Sequence, residues 1–201
     1  AAGRIGRAVL ERLAPFGVHL VYTDKHPLPA EVEQRLGARR IERLEHLVAE
    51  VDVLSIHAPL QPETFRLFDD AMLGRMRRGS YVVNTARAAI MDRDAVVRAL
   101  ESGRLAGYAG DVWYPQPPAA DHPWRSMPHE AMTPHMSGSS LSAQTRYAAG
   151  TREILECWLA ENPIRDEYLI VHGGDLAGTG AHSYSAGNAT SGSEEAARFK
   201  N

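Results

Sequence analysis

The regular alternation of short apolar runs with helical periods is what most restricts the fold of this chain. From Arg4 a helical pattern of Ile5, Val9, Leu10 and Leu13 runs to Pro15. Val18–Thr23 then reads as a strand that ends at Asp24. The cycle repeats, with helical segments at 31–36 and 44–50, a strand at 52–56, a helix at 69–76 and a strand at 81–84. Asp92 caps a helix that reaches Leu100 and is closed by Gly103, and the next strand is expected at 106–112. Strands separated by helices with short connections specify a parallel sheet covered by helices on both faces. The fold class is therefore α/β.

After Ser137 the rhythm changes. Ser139 or Ser140 caps a longer helix over 141–161, a strand is expected at 168–171, and a tail rich in Gly, Ala, Ser and Thr follows. That composition by itself predicts disorder. The chain opens on Ala-Ala-Gly-Arg-Ile-Gly, with no initiator Met and no strand before the glycines, which reads as a fragment.

Composition closes off several functions. A net charge of −3 over 201 residues, without a basic run, speaks against nucleic-acid binding or a polybasic membrane anchor. No run approaches the ~18 apolar residues of a membrane span. The single Cys157 excludes an internal disulfide and suits a reducing compartment, with the cytoplasm as the default; mid-helix beside Trp158, it reads as a buried packing residue. His122, His129 and His135 invite a metal reading, but Pro123, Pro128 and Pro134 interrupt them and no cysteine joins them, so no metal is expected.

The remaining motifs converge on a dinucleotide. In the opening turn, Gly3 and Gly6 let the backbone approach a pyrophosphate, and the helix that starts there offers its N–H groups. A tight strand-to-helix turn would use the same residues. Asp24, with seventeen residues between it and Gly6, lies where a carboxylate accepts from an adenosine ribose and repels a 2′-phosphate, which favours NAD over NADP. Arg87 follows a buried strand at the carboxyl end, where open α/β sheets bind ligands, and either grips a carboxylate or sits in a surface loop. Asp111 ends another strand and either faces the cofactor or caps its turn. His135 is either catalytic or structural. Gln116, framed by Pro115 and Pro117, is an amide in a rigid loop, nineteen residues before His135.

With these residues in place, the sequence resembles the D-specific 2-hydroxyacid dehydrogenase superfamily and, within it, the NAD-dependent formate dehydrogenases. The resemblance covers the whole chain. It is carried by Glu101–Trp113, Asp121–Arg125, Arg146–Cys157 and Gly178–Ser185, the last three being particular to formate dehydrogenases. It implies a Rossmann-type doubly wound sheet whose first strand is absent, spanning residues 1–136, and a C-terminal part of a catalytic domain over 137–201. It implies NAD as cofactor, formate as substrate and a homodimer. It also implies that Arg4 and Ile5 lie at the pyrophosphate, Asp24 at the ribose, Pro59 and Thr85 near the cofactor, and Asp111 at the nicotinamide amide. Arg87 and His135 would hold formate, Gln116 would orient His135, and Ser137 and Gly138 would line the nicotinamide side. His182 and Ser183 would place the tail over the cofactor, which reverses the expectation of disorder. His57-Ala-Pro-Leu-Gln61 departs from the Asn-Cys-Pro-Leu-His usual in that family, and Ala88 stands where it has Gly. Other D-2-hydroxyacid dehydrogenases, and a non-catalytic NAD-sensing module of the same fold, remain as alternatives.

Overall fold

The computed structural model describes residues 1–165 and 168–169 in full and the backbone of 171–172 and 175–176. The chain divides into two compact units, Ala1–His135 and Met136–Asn201.

The first unit begins with α1 (Arg4–Leu13), β1 (Leu20–Tyr22), α2 (Ala30–Leu36) and β2 (Ala38–Arg40). It continues through α3 (Leu44–Glu50), β3 (Val53–Ile56), α4 (Asp70–Arg75), β4 (Ser80–Asn84), α5 (Arg93–Glu101), β5 (Leu105–Gly110) and β6 (Glu130–Met132). The strand–helix alternation is borne out, and its strands are parallel. They form two ladders, β1-β2 and β3-β4-β5-β6, as fits the expected doubly wound sheet without its first strand. Two strands lacked a sequence signal. β2 reads Ala-Arg-Arg and β6 Glu-Ala-Met, each too short and too polar for periodicity to register.

Local chemistry sets the boundaries. Asp69 accepts from the Met72 N–H and caps α4, and Asp92 accepts from Asp94 and Ala95 and caps α5. Gly37 and Gly103 end their helices in the left-handed region, which costs glycine little. The larger sheet buries Val82, Leu105 and Tyr108 against Val96, Leu100 and Ile90, with Trp124 closing one end and donating its indole N–H to the Arg93 carbonyl at 2.9 Å. A smaller cluster of Leu10, Leu20, Tyr22, Val32 and Leu36 packs around β1.

In the second unit α6 (Leu141–Leu159) is capped by Ser140, whose hydroxyl accepts from the Ala143 N–H. The strand expected at 168–171 is instead β7 (Val171–His172), paired antiparallel with β8 (Asp175–Leu176) in a ladder of two residues each. Cys157 is half-buried where a buried residue was expected, and its neighbour Trp158 is exposed. The Gly-rich tail lies outside the described residues. Among the described residues no helix is long and apolar enough to cross a membrane.

Tyr108 carries a testable cost. Its ring is 1% exposed, and no described group meets hydrogen-bonding geometry with its hydroxyl. Burial raises the phenol well above its ordinary value, and the nearby Asn84 amide draws it only partly back. The folded phenol stays neutral above about pH 10, where an exposed one ionises. Its contribution to stability is therefore complete below about pH 10 and drains away as pH rises beyond it. Tyr108→Phe is expected to match or exceed the parent's stability at pH 8, by up to about 1 kcal/mol, and to flatten its decline between about pH 10 and 12. Urea midpoints at both ends of that range check this, and parallel declines in parent and variant would contradict it.

Candidate active site

Parallel pairing sends the carboxyl ends of β3, β4, β5 and β6 to one edge of the sheet. His57 and Pro59 follow β3, Thr85 and Arg87 follow β4, Asp111 follows β5 and His135 follows β6. The strand order places Arg87 two strands from His135, with Asp111 between. Thr85, Arg87, Gln116 and His135 are all exposed, whereas Asp111 is buried.

His135 and Gln116 meet. The ring Nδ1 lies 2.8 Å from Gln116 Oε1, a pair satisfied by Nδ1–H donating to the amide oxygen or, with the amide turned, by its NH₂ donating to Nδ1, and Nε2 is left facing away from it. His135 adopts φ +65°, a left-handed conformation uncommon outside glycine though more open to histidine than to most residues, and such a conformation tends to be kept where the surroundings enforce it. The enforcement is visible on both sides of the pair. Trp113 donates its indole N–H to the Thr133 carbonyl at 2.9 Å, and the Thr133 hydroxyl donates to Asp111 Oδ1. On the Gln116 side, buried His122 accepts from the Trp124 N–H at its Nδ1 and donates from Nε2 to the Tyr114 carbonyl at 3.1 Å. Arg125 donates to the carbonyls of Ala119 and Pro118 and lies over the Trp113 ring. Peptide bonds 114–115 and 116–117 are cis.

Trp113, His122 and Thr133 were missed as supports in the sequence. The sequence weighed His122 only as a metal ligand, although a histidine between Asp121 and the turn-forming Pro123-Trp124 also fits a buried hydrogen-bonding role. Among the described residues no group of three His, Cys, Asp or Glu is placed to hold a metal.

Beside His57 on that edge, with a Cβ built on Gly6 only 3.6 Å from the His57 Cβ, α1 starts from Gly3 without a side-chain cap, so its first N–H groups are open to a ligand. Arg4 and Ile5 are exposed on that turn. Gly6 is required here by close approach, because a Cβ at this position would fall 2.1 Å from the Ala1 carbonyl oxygen. Asp24 lies beside the same turn. Its Oδ2 accepts from the Ala2 N–H at 2.6 Å and its Oδ1 from the His26 N–H at 3.0 Å, while Arg40 donates to its backbone carbonyl. His57 bonds to Ser55, and burial lowers its pKa. The Pro59 carbonyl accepts from the Thr64 hydroxyl at 2.7 Å.

Ser137 and Gly138 belong to the second unit, where the Gly138 carbonyl accepts from the Gln144 amide at 3.2 Å. His182 and Ser183 lie outside the described residues.

Residues 1–137 match the family described as D-isomer specific 2-hydroxyacid dehydrogenase, NAD binding domain. The chain belongs to this family. Among its relatives, the formate dehydrogenase of Pseudomonas sp. (strain 101) is 64% identical over 200 residues, covering 100% of this chain and 50% of the relative. The chloroplastic/mitochondrial formate dehydrogenase of Arabidopsis thaliana is 47% identical over 176 residues, covering 88% of this chain and 46% of its own. Among solved structures, a Granulicella formate dehydrogenase aligns with a TM-score of 0.82 at 65% identity, covering 89% of this chain and 48% of that one. The NAD-dependent formate dehydrogenase from Staphylococcus aureus, in complex with NAD, aligns with a TM-score of 0.72 at 48% identity, covering 89% and 51%. The chain thus spans about half the length of the relatives it matches.

The Gly6 geometry yields a direct test. Gly6→Ala must displace the opening turn, and the strain is expected to cost about 1–3 kcal/mol, visible as a lower melting temperature. An unchanged melting temperature would show that the turn yields freely.

Proposed function

We propose that the protein carrying this chain is an NAD-dependent formate dehydrogenase, acting as a cytoplasmic homodimer in which this chain supplies the cofactor-binding half and the anion-holding residues. The observation that carries the reading is the pairing of His135 with a neutral amide. The family and the formate dehydrogenase relatives support it; the dimer and the compartment rest on the family resemblance and the lone Cys157.

The residues present suit NAD. The uncapped turn at Gly3, with Arg4 and Ile5 exposed on it, suits a pyrophosphate, and each Asp24 oxygen keeps lone-pair capacity beyond its one backbone bond, enough to accept from a ribose. Pro59, Thr85 and Asp111 stand along the same edge on this reading, with Ser137, Gly138, His182 and Ser183 contributed by the rest of the chain. Bound NAD would supply the hydride acceptor, so that formate and NAD⁺ become CO₂ and NADH.

The pair's chemistry distinguishes formate from a 2-hydroxyacid. A 2-hydroxyacid loses a hydroxyl proton along with its hydride and needs a base whose pKa a neighbouring carboxylate raises. Formate has no such proton. Its site must hold an anion and favour loss of that charge as neutral CO₂ forms. Arg87 grips one formate oxygen or both, since its guanidinium carries parallel donors. His135 donates to formate from Nε2, which a neutral ring does only when its one proton sits there and Nδ1 is left as an acceptor. Gln116 allows this, because its amide can turn to present NH₂ to Nδ1, whereas a carboxylate there could only accept. The amide also adds no negative charge to repel the substrate.

Two substitutions in the full-length protein test these roles. Arg87→Ala is expected to abolish formate-dependent NADH formation while leaving NAD affinity within about twofold, the pattern of a lost substrate anchor. A matching loss of NAD affinity would assign Arg87 to the cofactor. Gln116→Glu is expected to slow formate oxidation and introduce a pH dependence into kcat/KM that the parent lacks. An unchanged rate and pH profile would remove Gln116 from the mechanism. Comparing the parent's turnover of formate with that of glycerate, lactate and glyoxylate decides the substrate class, and faster turnover of any of these three would overturn the formate reading.

A further inference from the structure

We infer that Asn84 is the positioning residue for Arg87, setting the direction of its guanidinium from inside the core. The inference rests on Arg87 being the carboxylate anchor and adds the group that holds it there.

Arg87 is exposed and lies three residues past the end of β4, so nothing in its own side chain fixes where it points. Asn84, the last residue of that strand, is fully buried. Both ends of its amide are used on the loop. Oδ1 accepts from the Ala86 N–H at 3.0 Å, and Nδ2 donates to the Arg87 carbonyl at 3.1 Å. Asn84 thus holds the peptide groups on either side of the Ala86–Arg87 link. The Ala86 carbonyl, oriented by this clamp, accepts from Arg87 Nη1 at 2.7 Å. The result is a relay of three contacts from a buried amide to an exposed guanidinium.

The backbone of Asn84 ties the clamp to the neighbouring strand, because its carbonyl accepts from the Asp111 N–H at 3.2 Å. The loop is closed on its far side by the Ile90 N–H, which also donates to the Arg87 carbonyl. Only an amide suits position 84. The loop demands one acceptor and one donor from a single buried side chain. Aspartate would bring two acceptors and set a carboxylate oxygen against the Arg87 carbonyl. Losing the Ala86 bond, or setting a carboxylate oxygen against an Arg87 carbonyl that keeps only its Ile90 partner, would destabilise the loop conformation that aims the guanidinium.

The test uses full-length parent, Asn84→Asp and Asn84→Ala forms, assayed for NADH formation against formate concentration, for NAD affinity by fluorescence and for melting temperature. Asn84→Asp conserves size and the Ala86 acceptor, so it supplies a folded variant even where Asn84→Ala does not. The formate KM is expected to rise about tenfold or more, with a smaller change in kcat and NAD affinity within about twofold. A KM within about twofold of the parent in folded Asn84→Asp, or a parallel loss of NAD affinity, overturns the inference. A parent that forms no NADH from formate overturns the functional reading instead. The same variants are then assayed with glyoxylate and NADH, where the carboxylate KM decides the role of Asn84 by the same criterion.

Discussion

Parallel hydrogen bonding among β3, β4, β5 and β6 is the constraint from which the site follows. A parallel ladder brings equivalent ends of successive strands together, so whatever side chains follow those strands share one edge. His57, Arg87, Asp111 and His135 come from stretches of sequence far apart and share an edge for this reason alone. The helices that carry the chain back between strands bury the sheet, and the core of Val82, Leu105, Val96 and Ile90 fixes the register on which the edge depends.

Support for the edge comes from groups that never reach it. Buried Asn84 holds the backbone around Arg87, buried His122 holds the carbonyl of Tyr114, and the Trp113 indole binds the segment that leads into His135. Each is a neutral donor or acceptor used on main-chain groups of a loop. Neutral supports have an electrostatic consequence, since they hold these loops without adding negative charge beside Arg87 and His135. Asp111 does carry a carboxylate here, but it is buried and accepts from Thr133.

Two kinds of signal were readable from the residues. Among the described residues, apolar periodicity located all six α-helices to within two residues of their ends. It located β1, β3, β4 and β5 but passed over β2 and β6, whose pairing depends on neighbouring strands and not on their own composition. Motif reading singled out Gly3, Gly6, Asp24, Arg87, Gln116 and His135. It passed over Asn84 and Trp113 and weighed His122 only as a metal ligand, because residues that serve other residues' backbones carry no motif of their own.

What the sequence determined by itself was the α/β class, the glycine turn and the presence of an amide at position 116 where acid–base chemistry would use a carboxylate. Those are properties of local order and residue type, and local order is written in the chain. The tertiary structure decided that Gln116 touches His135 across nineteen residues, that β1 and β3 share no ladder, and that Asp111 turns into the protein. Such facts depend on which segments lie side by side after packing. Hydrogen bonds between loops form only once the sheet has brought their ends within reach, so no local pattern could have announced them.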